Sequence, residues 1–274
     1  MIWLCTETSR ADTEPSFSLR IQHQINSQLQ LSGGLTRTSR SPDARERYFA
    51  LRRMGSDWVG NPVLEPPQAT GAEIGLVWGA GGGMLSASAW AERVDGFVLP
   101  YNQQRIEPVP GVMNTKAMSY GNVQADLLGA SVSGSLALSS RLSLAGSATF
   151  VRGTQEPDPQ LGTTSRNLPE MPPLSGRLAV RWQNTKVFAE AEGIAAADQE
   201  RVNEDLSESP TPGWAILNLK AGWSWQRWRV AAVLANVFDR TYHEHFSYLR
   251  NPYRSGFVLN EPGRNFAVTL GWRY

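Results

Sequence analysis

A two-residue period in polarity runs through most of this chain, and few patterns restrict a fold more tightly. Successive side chains of an extended strand point to opposite faces, so alternating apolar and polar residues describe a sheet with one apolar side and one wet side. Near the C-terminus Phe266, Val268, Leu270, Trp272 and Tyr274 share one face, and Asn265, Ala267, Thr269, Gly271 and Arg273 the other. Ala215, Leu217, Leu219, Ala221, Trp223 and Trp225 oppose Asn218, Lys220, Ser224 and Gln226. Ala72, Ile74, Leu76 and Trp78 oppose Glu73, and Leu178, Val180 and Trp182 oppose Arg177, Arg181 and Gln183. Val187, Ala189 and Ala191 oppose Lys186, Glu190 and Glu192.

Continued along the chain, the pattern predicts about eleven strands, over residues 17–25, 28–37, 68–79, 84–95, 119–138, 141–152, 174–182, 186–196, 213–225, 227–236 and 264–274. Their connections alternate in length. Residues 26–27, 80–83, 139–140, 183–185 and 226 form tight turns, whereas 38–67, 96–118, 153–173, 197–212 and 237–263 are long and hold nearly all 17 prolines. Short turns at one end, long loops at the other and strands of about ten residues describe an all-β, antiparallel transmembrane β-barrel. A soluble β-sandwich binding module is the competing reading, because alternation alone establishes only a half-buried sheet. Aromatic placement separates the two. Trp78, Trp182, Trp223, Trp225, Trp228, Trp272 and Tyr274 lie on the apolar face within a residue or two of a short turn or the C-terminus. A sandwich buries such rings in mid-strand, while a barrel places them in a girdle at the membrane interface.

Composition agrees with this. Charged residues are 19% of the chain, against about 25% in an ordinary soluble domain. Yet mean hydropathy is −0.33 and the apolar fraction only 41%, as expected when strands alternate and never run continuously apolar. Arg177, Arg181, Lys186, Glu190, Glu192 and Lys220 all fall on the polar face, where they line a wet interior. A base facing the midplane of the bilayer instead would cost about 2–4 kcal/mol. No stretch approaches the roughly 20 apolar residues of a spanning helix, because Gly75, Gly79, Gly81, Gly82 and Gly83 break up 74–91. A single cysteine, Cys5, excludes a disulfide framework, and 26 basic against 25 acidic residues give no electrostatic reason to expect nucleic acid. Residues 1–10 lack the basic and apolar regions of a signal peptide.

Three segments resemble the TonB-dependent outer-membrane receptors, specifically the C-terminal half of their barrel. Gly60-Asn61-Pro62, followed by Leu64, Pro66, Glu73 and Gly75, is similar to a loop-to-strand segment of that family. Asn236-Val237-Phe238-Asp239 with Tyr242 resembles the motif that closes the penultimate strand. Glu261-Pro262-Gly263-Arg264, then alternation to Tyr274, resembles the last strand, whose terminal aromatic the barrel-assembly machinery recognises in such proteins. Arg40 to Tyr48, Trp58 to Pro62, Met171 to Leu174, Arg201-Val202-Asn203, Thr211 to Trp214 and Tyr242 to His245 are similar to segments of the copper-receptor branch, and several also occur in siderophore receptors. The resemblance implies a receptor for a metal or metal chelate in the outer membrane of a Gram-negative bacterium, in contact with outer-membrane lipid and, in an intact parent, with TonB. It implies no cofactor and no enzymatic activity. Family barrels have 22 strands around a plug. The chain is therefore expected to be an open partial barrel over residues 17–274, without a plug, with residues 1–16 an irregular leader. On this reading it is a truncated receptor that does not transport alone. The alternative membrane reading is a passive pore or structural barrel.

No catalytic constellation is present. The glycines of 79–83 precede no Lys-Ser/Thr and no helix, so they make no phosphate-cradling loop. His243 and His245, with Met113, Met118 or Met54 from neighbouring loops, have the soft donors of a copper site, against which stands plain loop packing beside the Asn-Val-Phe-Asp segment. Tyr101, Arg105, Tyr248, Arg250, Tyr253 and Arg254 fall in the long loops, where aromatics and arginines suit an anionic chelate. Arg45, Arg47, Arg52 and Arg53, with Glu46, read as solvated surface or a lumen-facing network.

Overall fold

The computed structural model describes residues 11–51, 57–104, 116–249 and 257–273. Eleven strands follow one another in a single sheet: β1 (Phe17–Asn26), β2 (Leu29–Ser39), β3 (Gln68–Ala80), β4 (Gly83–Gln104), β5 (Lys116–Ala137), β6 (Leu142–Gln155), β7 (Ser175–Gln183), β8 (Val187–Ala196), β9 (Trp214–Trp225), β10 (Trp228–Ala235) and β11 (Asn265–Trp272). Each pairs antiparallel with its chain neighbours, so the sheet is an open meander with β1 and β11 at its edges. All eleven overlap the strands read from periodicity, in the same order.

The short turns are set by side chains that cap the returning strand. Asn26 Oδ1 accepts from the amides of Gln28 and Leu29 at 2.8 and 3.0 Å. Asn184 Oδ1 does the same for Lys186 and Val187 at 2.8 Å each. Ser139 Oγ accepts from Arg141 and Leu142 at 3.2 and 3.1 Å. These local bonds fix the loop length and with it the register of each hairpin.

Large apolar side chains of the sheet stay exposed. Ile74 is 68% accessible, Leu178 56% and Leu270 64%, and the six tryptophans at the short-turn end lie between 38% and 52%. Trp223 stacks on Trp225 with centroids 5.9 Å apart, and Trp228 leans on its register partner Trp272. Among the described residues no second sheet covers this face, so the sandwich is replaced by a sheet whose apolar side needs an apolar solvent.

Two strands run further than expected. Periodicity ends one strand at 95 and makes 96–118 a long connection. Gly96 instead adopts φ +74° and forms a bulge between Val94 and Phe97, after which pairing resumes up to Gln104 opposite Lys116. These extensions carry the packed core. Val94, Val98, Leu99, Met118, Val123, Ala125, Leu64 and Leu168 are all buried, and they lie beyond the apolar band, at the long-loop end.

The loop 40–67 also departs from expectation. It contains a short helix, Ala44–Tyr48, opened by a capping box in which Asp43 and Glu46 bond each other's backbone amides. Arg47 is not solvated. It is 4% exposed, pairs with Asp12 at 2.7 Å and donates to the Leu64 carbonyl at 3.0 Å, and removing one partner of such a pair costs about 3–5 kcal/mol. Arg52 and Arg53 lie outside the described residues. The backbone of 11–16 is irregular but tied down, since Gln68 Nε2 donates to Glu14 at 2.8 Å and the Ser39 amide to Ser16 Oγ at 3.2 Å. Gly60 of the Gly-Asn-Pro segment packs on this helix, where an added Cβ would stand 2.6 Å from the Arg47 carbonyl carbon. Asn61 then donates to the Tyr120 carbonyl at 2.9 Å and anchors the loop to β5.

Leu178→Arg places a guanidinium on the apolar face midway along β7. Urea titration in lipid vesicles is expected to show a loss of about 2–4 kcal/mol, whereas Ala179→Arg, on the wet face of the same strand, is expected to cost under about 1 kcal/mol.

Candidate functional site

Two surfaces compete for function: the polar face of the sheet and the loop assembly above it. The polar face carries a cross-strand charge network built by register. Glu190 stands opposite Arg181 on β7 and Lys220 on β9. It pairs with Arg181 at 3.0 Å and Lys220 at 3.1 Å, while Lys220 also reaches Glu192 at 2.8 Å. Arg181 lies over the Phe188 ring at 4.2 Å, and Arg20 reaches across β2 to Glu73. Within this network each carboxylate is matched by a base on a neighbouring strand. Among the described residues no group of three or more His, Cys, Asp or Glu is placed to bind a metal.

At the long-loop end, three connections are sewn into one unit. The Glu208 carboxylate, 5% exposed, accepts from the amides of Asn203 (2.7 Å) and Glu170 (2.9 Å) and bonds His245 Nε2 at 3.1 Å. The other ring nitrogen of His245, Nδ1, bonds Thr211 Oγ1 at 2.9 Å. Asn203 and Asn167 exchange side-chain bonds with each other's loop, at 2.9 Å to the Asn167 carbonyl and 3.2 Å to that of Val202. Gln199, fully buried, donates to the Met171 carbonyl at 2.7 Å. Asp205 accepts from the Thr164 and Ser165 amides at 2.8 Å each and from the Thr164 hydroxyl. Burial disfavours the ionised Asp205, but these donors outweigh it and hold the carboxyl below its ordinary range. Trp214 and Tyr242 complete the unit with rings 4.4 Å apart.

The segment after β10 has its own logic. Asn236 and Asp239 both take the left-handed conformation, φ 49° and 53°, which short polar side chains tolerate. Asn236 closes the turn by exchanging bonds with the Arg240 backbone at 2.8 and 2.9 Å. Asp239 Oδ1 receives the Arg264 amide at 2.7 Å and so aims the chain into β11.

The predicted site residues fare unevenly. His245 is a structural member of the loop clasp: both ring nitrogens are engaged, leaving none for a metal in this arrangement. His243 is half-buried, and Met118 is buried on β5 opposite Asn102. Tyr101 is half-buried on β4, opposite Ser119. The backbone of Tyr248 lies in a two-residue strand paired with Phe257–Val258. Arg105, Arg250, Tyr253, Arg254, Met113, Met54 and Tyr274 lie outside the described residues. Glu208, Gln199 and Asp205 were not singled out from sequence, although the Arg-Val-Asn and Thr-Pro-Gly-Trp segments flank them. Glu208→Leu removes the acceptor of two amides and the partner of His245 Nε2, at about 1–3 kcal/mol for each buried group. Hydrogen exchange is expected to speed up together across 163–171, 199–211 and 242–247, with the strand ladders unchanged.

The family described as TonB dependent receptor-like, beta-barrel matches residues 6–237. Among solved structures, the chain is similar to the copper transporter OprC, at 23% identity and a TM-score of 0.79, over 96% of this chain and 40% of that one. It is similar to the ferric enterobactin receptor PfeA of Pseudomonas aeruginosa, in a G324V mutant, at 17% identity and 0.69, over 94% and 40%. The siderophore receptor PirA of Pseudomonas aeruginosa follows at 14% and 0.65, over 94% and 41%. Among curated proteins no sequence matches the chain. The chain thus spans about 40% of the length of the solved relatives. With a matching family over most of its residues and the barrel-wall fold of these receptors, the chain belongs to the TonB-dependent receptor β-barrel family.

Proposed function

We propose that the chain is the C-terminal part of the barrel wall of a receptor that takes up a metal or metal chelate across the outer membrane of a Gram-negative bacterium. The observation that carries this is the division of the sheet. One face is apolar and ringed by tryptophan, the other is polar with a cross-strand ionic network on β7 to β9, and three of the long loops above are joined into one body. A receptor needs this combination: a wall stable in lipid, a wet lumen, and a rigid outer surface on which specificity is built.

In this reading the long loops face outward and Tyr101, Arg105, Tyr248, Arg250, Tyr253 and Arg254 meet an anionic chelate. TonB acts on the complete receptor, and Tyr274 serves barrel assembly. Copper is the cargo favoured among metals, supported by the fold likeness to a copper transporter and by the similar loop segments. His243 and Met113 are then the soft donors to test, because the ring of His245 is already used by Glu208 and Thr211.

In a receptor-null strain, the chain alone is expected to give no uptake above vector. Joined to a plug and the remaining strands, it is expected to restore metal accumulation that vanishes when TonB is deleted. Copper accumulation without a ferric chelate effect supports the copper cargo, and the converse pattern assigns a siderophore. Uptake by the chain alone, or uptake indifferent to TonB, contradicts the receptor reading.

A further inference from the structure

Charge is divided unevenly between the two ends of the sheet. The short turns and the end of β11 carry Arg141, Lys186, Arg227 and Arg273, with Arg229 just inside β10, and no acidic residue. The acid nearest a short turn is Glu190, which Arg181 and Lys220 already engage at 3.0 and 3.1 Å. The chain as a whole holds 26 bases and 25 acids, so this end is basic while the rest is acidic. The side chains of these bases are all exposed, and among the described residues none of them has an ion-pair or hydrogen-bond partner.

The ladder fixes where they stand. Register sets Arg229 opposite Ser224 on β9 and Gly271 on β11. The Arg273 amide donates to the Arg227 carbonyl at 2.9 Å, the Ser224 amide to that of Lys186 at 2.7 Å and the Gln183 amide to that of Arg141 at 2.8 Å. The bases thus form an arc from β6 to β11, about 24 Å long at about 4.8 Å per strand.

This arc belongs to the wet face. Arg229 alternates with Trp228 and Val230, whose register partners Trp225, Trp272, Trp223 and Leu270 are apolar. Lys186 ends the row of Glu190 and Glu192, and Arg227 and Arg273 end those of Arg229 and Gly271. Arg141 ends the row of Ser143, the register partner of Arg181. At the same height the apolar face bears the tryptophan girdle, so lipid headgroups lie on the other side of the wall from the arc.

Spacing limits what can bind. At physiological salt an exposed charge is felt over about 8 Å. Neighbouring bases of the arc stand about 5–10 Å apart and reinforce one another, whereas its two ends are screened from each other. A compact anion meets only part of the arc. An extended chain with carboxylates on alternate residues, about 7 Å apart, meets all of it.

We infer that this arc is a docking site for an acidic, extended polypeptide segment at the short-turn mouth of the lumen. Arg227, Arg229 and Arg273 form its densest part, where carboxylates are held by charge-assisted hydrogen bonds, and Lys186 and Arg141 extend it. The site rests on the proposed reading of the sheet as a barrel wall, which puts lipid on one face and water on the other.

The refolded full chain is first floated with phosphatidylcholine vesicles. It is then titrated in a zwitterionic detergent with a dye-labelled peptide of alternating glutamate and threonine, about eight residues long to span the arc. Fluorescence anisotropy is expected to show saturable binding that weakens at least tenfold in Arg227→Gln/Arg229→Gln/Arg273→Gln. Arg227→Lys/Arg229→Lys/Arg273→Lys is expected to stay within threefold of the parent, because charge and not fold is being removed. Arg37→Gln/Arg152→Gln, which takes two exposed bases from the long-loop end, is expected to stay within twofold. A chain that floats but binds a glutamine-for-glutamate peptide equally well, or binds undiminished in the triple glutamine variant, overturns the docking site alone. Equal competition by citrate assigns the arc to a compact anion, and equal competition by phosphatidylglycerol assigns it to lipid, and either overturns the site as well. A chain that does not float overturns the wall reading and the site with it.

Discussion

Hydrocarbon offers no hydrogen bonds, and that one fact organises the rest of the structure. Every backbone N–H and C=O within lipid has to be paired in the ladder, which limits a strand protein to neighbours on both sides and forbids irregular backbone at membrane depth. The meander of eleven strands meets this demand from β2 to β10. The edges β1 and β11 present ladder groups that require partners in a bilayer, and the closed barrels of the family supply them. The same demand sends all irregular structure to the two ends.

The ends solve different problems. At the short turns Asn26, Asn184 and Ser139 reverse the chain with local bonds, and tryptophans occupy the interface. At the long-loop end the strands β4 and β5 rise beyond the apolar band and acquire a conventional core around Leu99, Val123 and Ala125. Buried polar groups there, above all Glu208, Asn203 and Gln199, convert three separate loops into a body with a defined shape. Loops joined by buried hydrogen bonds of this kind are held in one arrangement, with little left to order. The buried His245 serves that arrangement.

The sheet was legible in the sequence because its signal is local and repeated. Alternation such as Leu178, Val180 and Trp182 against Arg177 and Arg181 states face and strand together, and the tryptophans at the turns state the solvent. The β4 extension was missed because Gly96 carries a bulge that looks like a strand end in one dimension. Arg47 was misread for a different reason: its partner Asp12 lies 35 positions away in sequence, and nothing local separates a buried arginine from a solvated one. The clasp shares that difficulty. The Arg-Val-Asn, Thr-Pro-Gly-Trp and Tyr-His-Glu-His segments stood out as motifs, but their meeting through Glu208 and Thr211 is a property of loop packing. Of the two readings of the histidine pair, soft donors or loop packing, His245 takes the second, through Glu208 and Thr211.

The tryptophan-bearing face of this sheet is expected to meet lipid and the opposite face water. Single-tryptophan variants in vesicles of brominated lipid test it directly, with Trp223 on the apolar face and Trp90 opposite Gly129 on the wet face. Bromines near the headgroup are expected to quench Trp223 strongly, bromines near the chain ends less, and neither to quench Trp90. Quenching of Trp90 in place of Trp223, or of neither, would contradict the account.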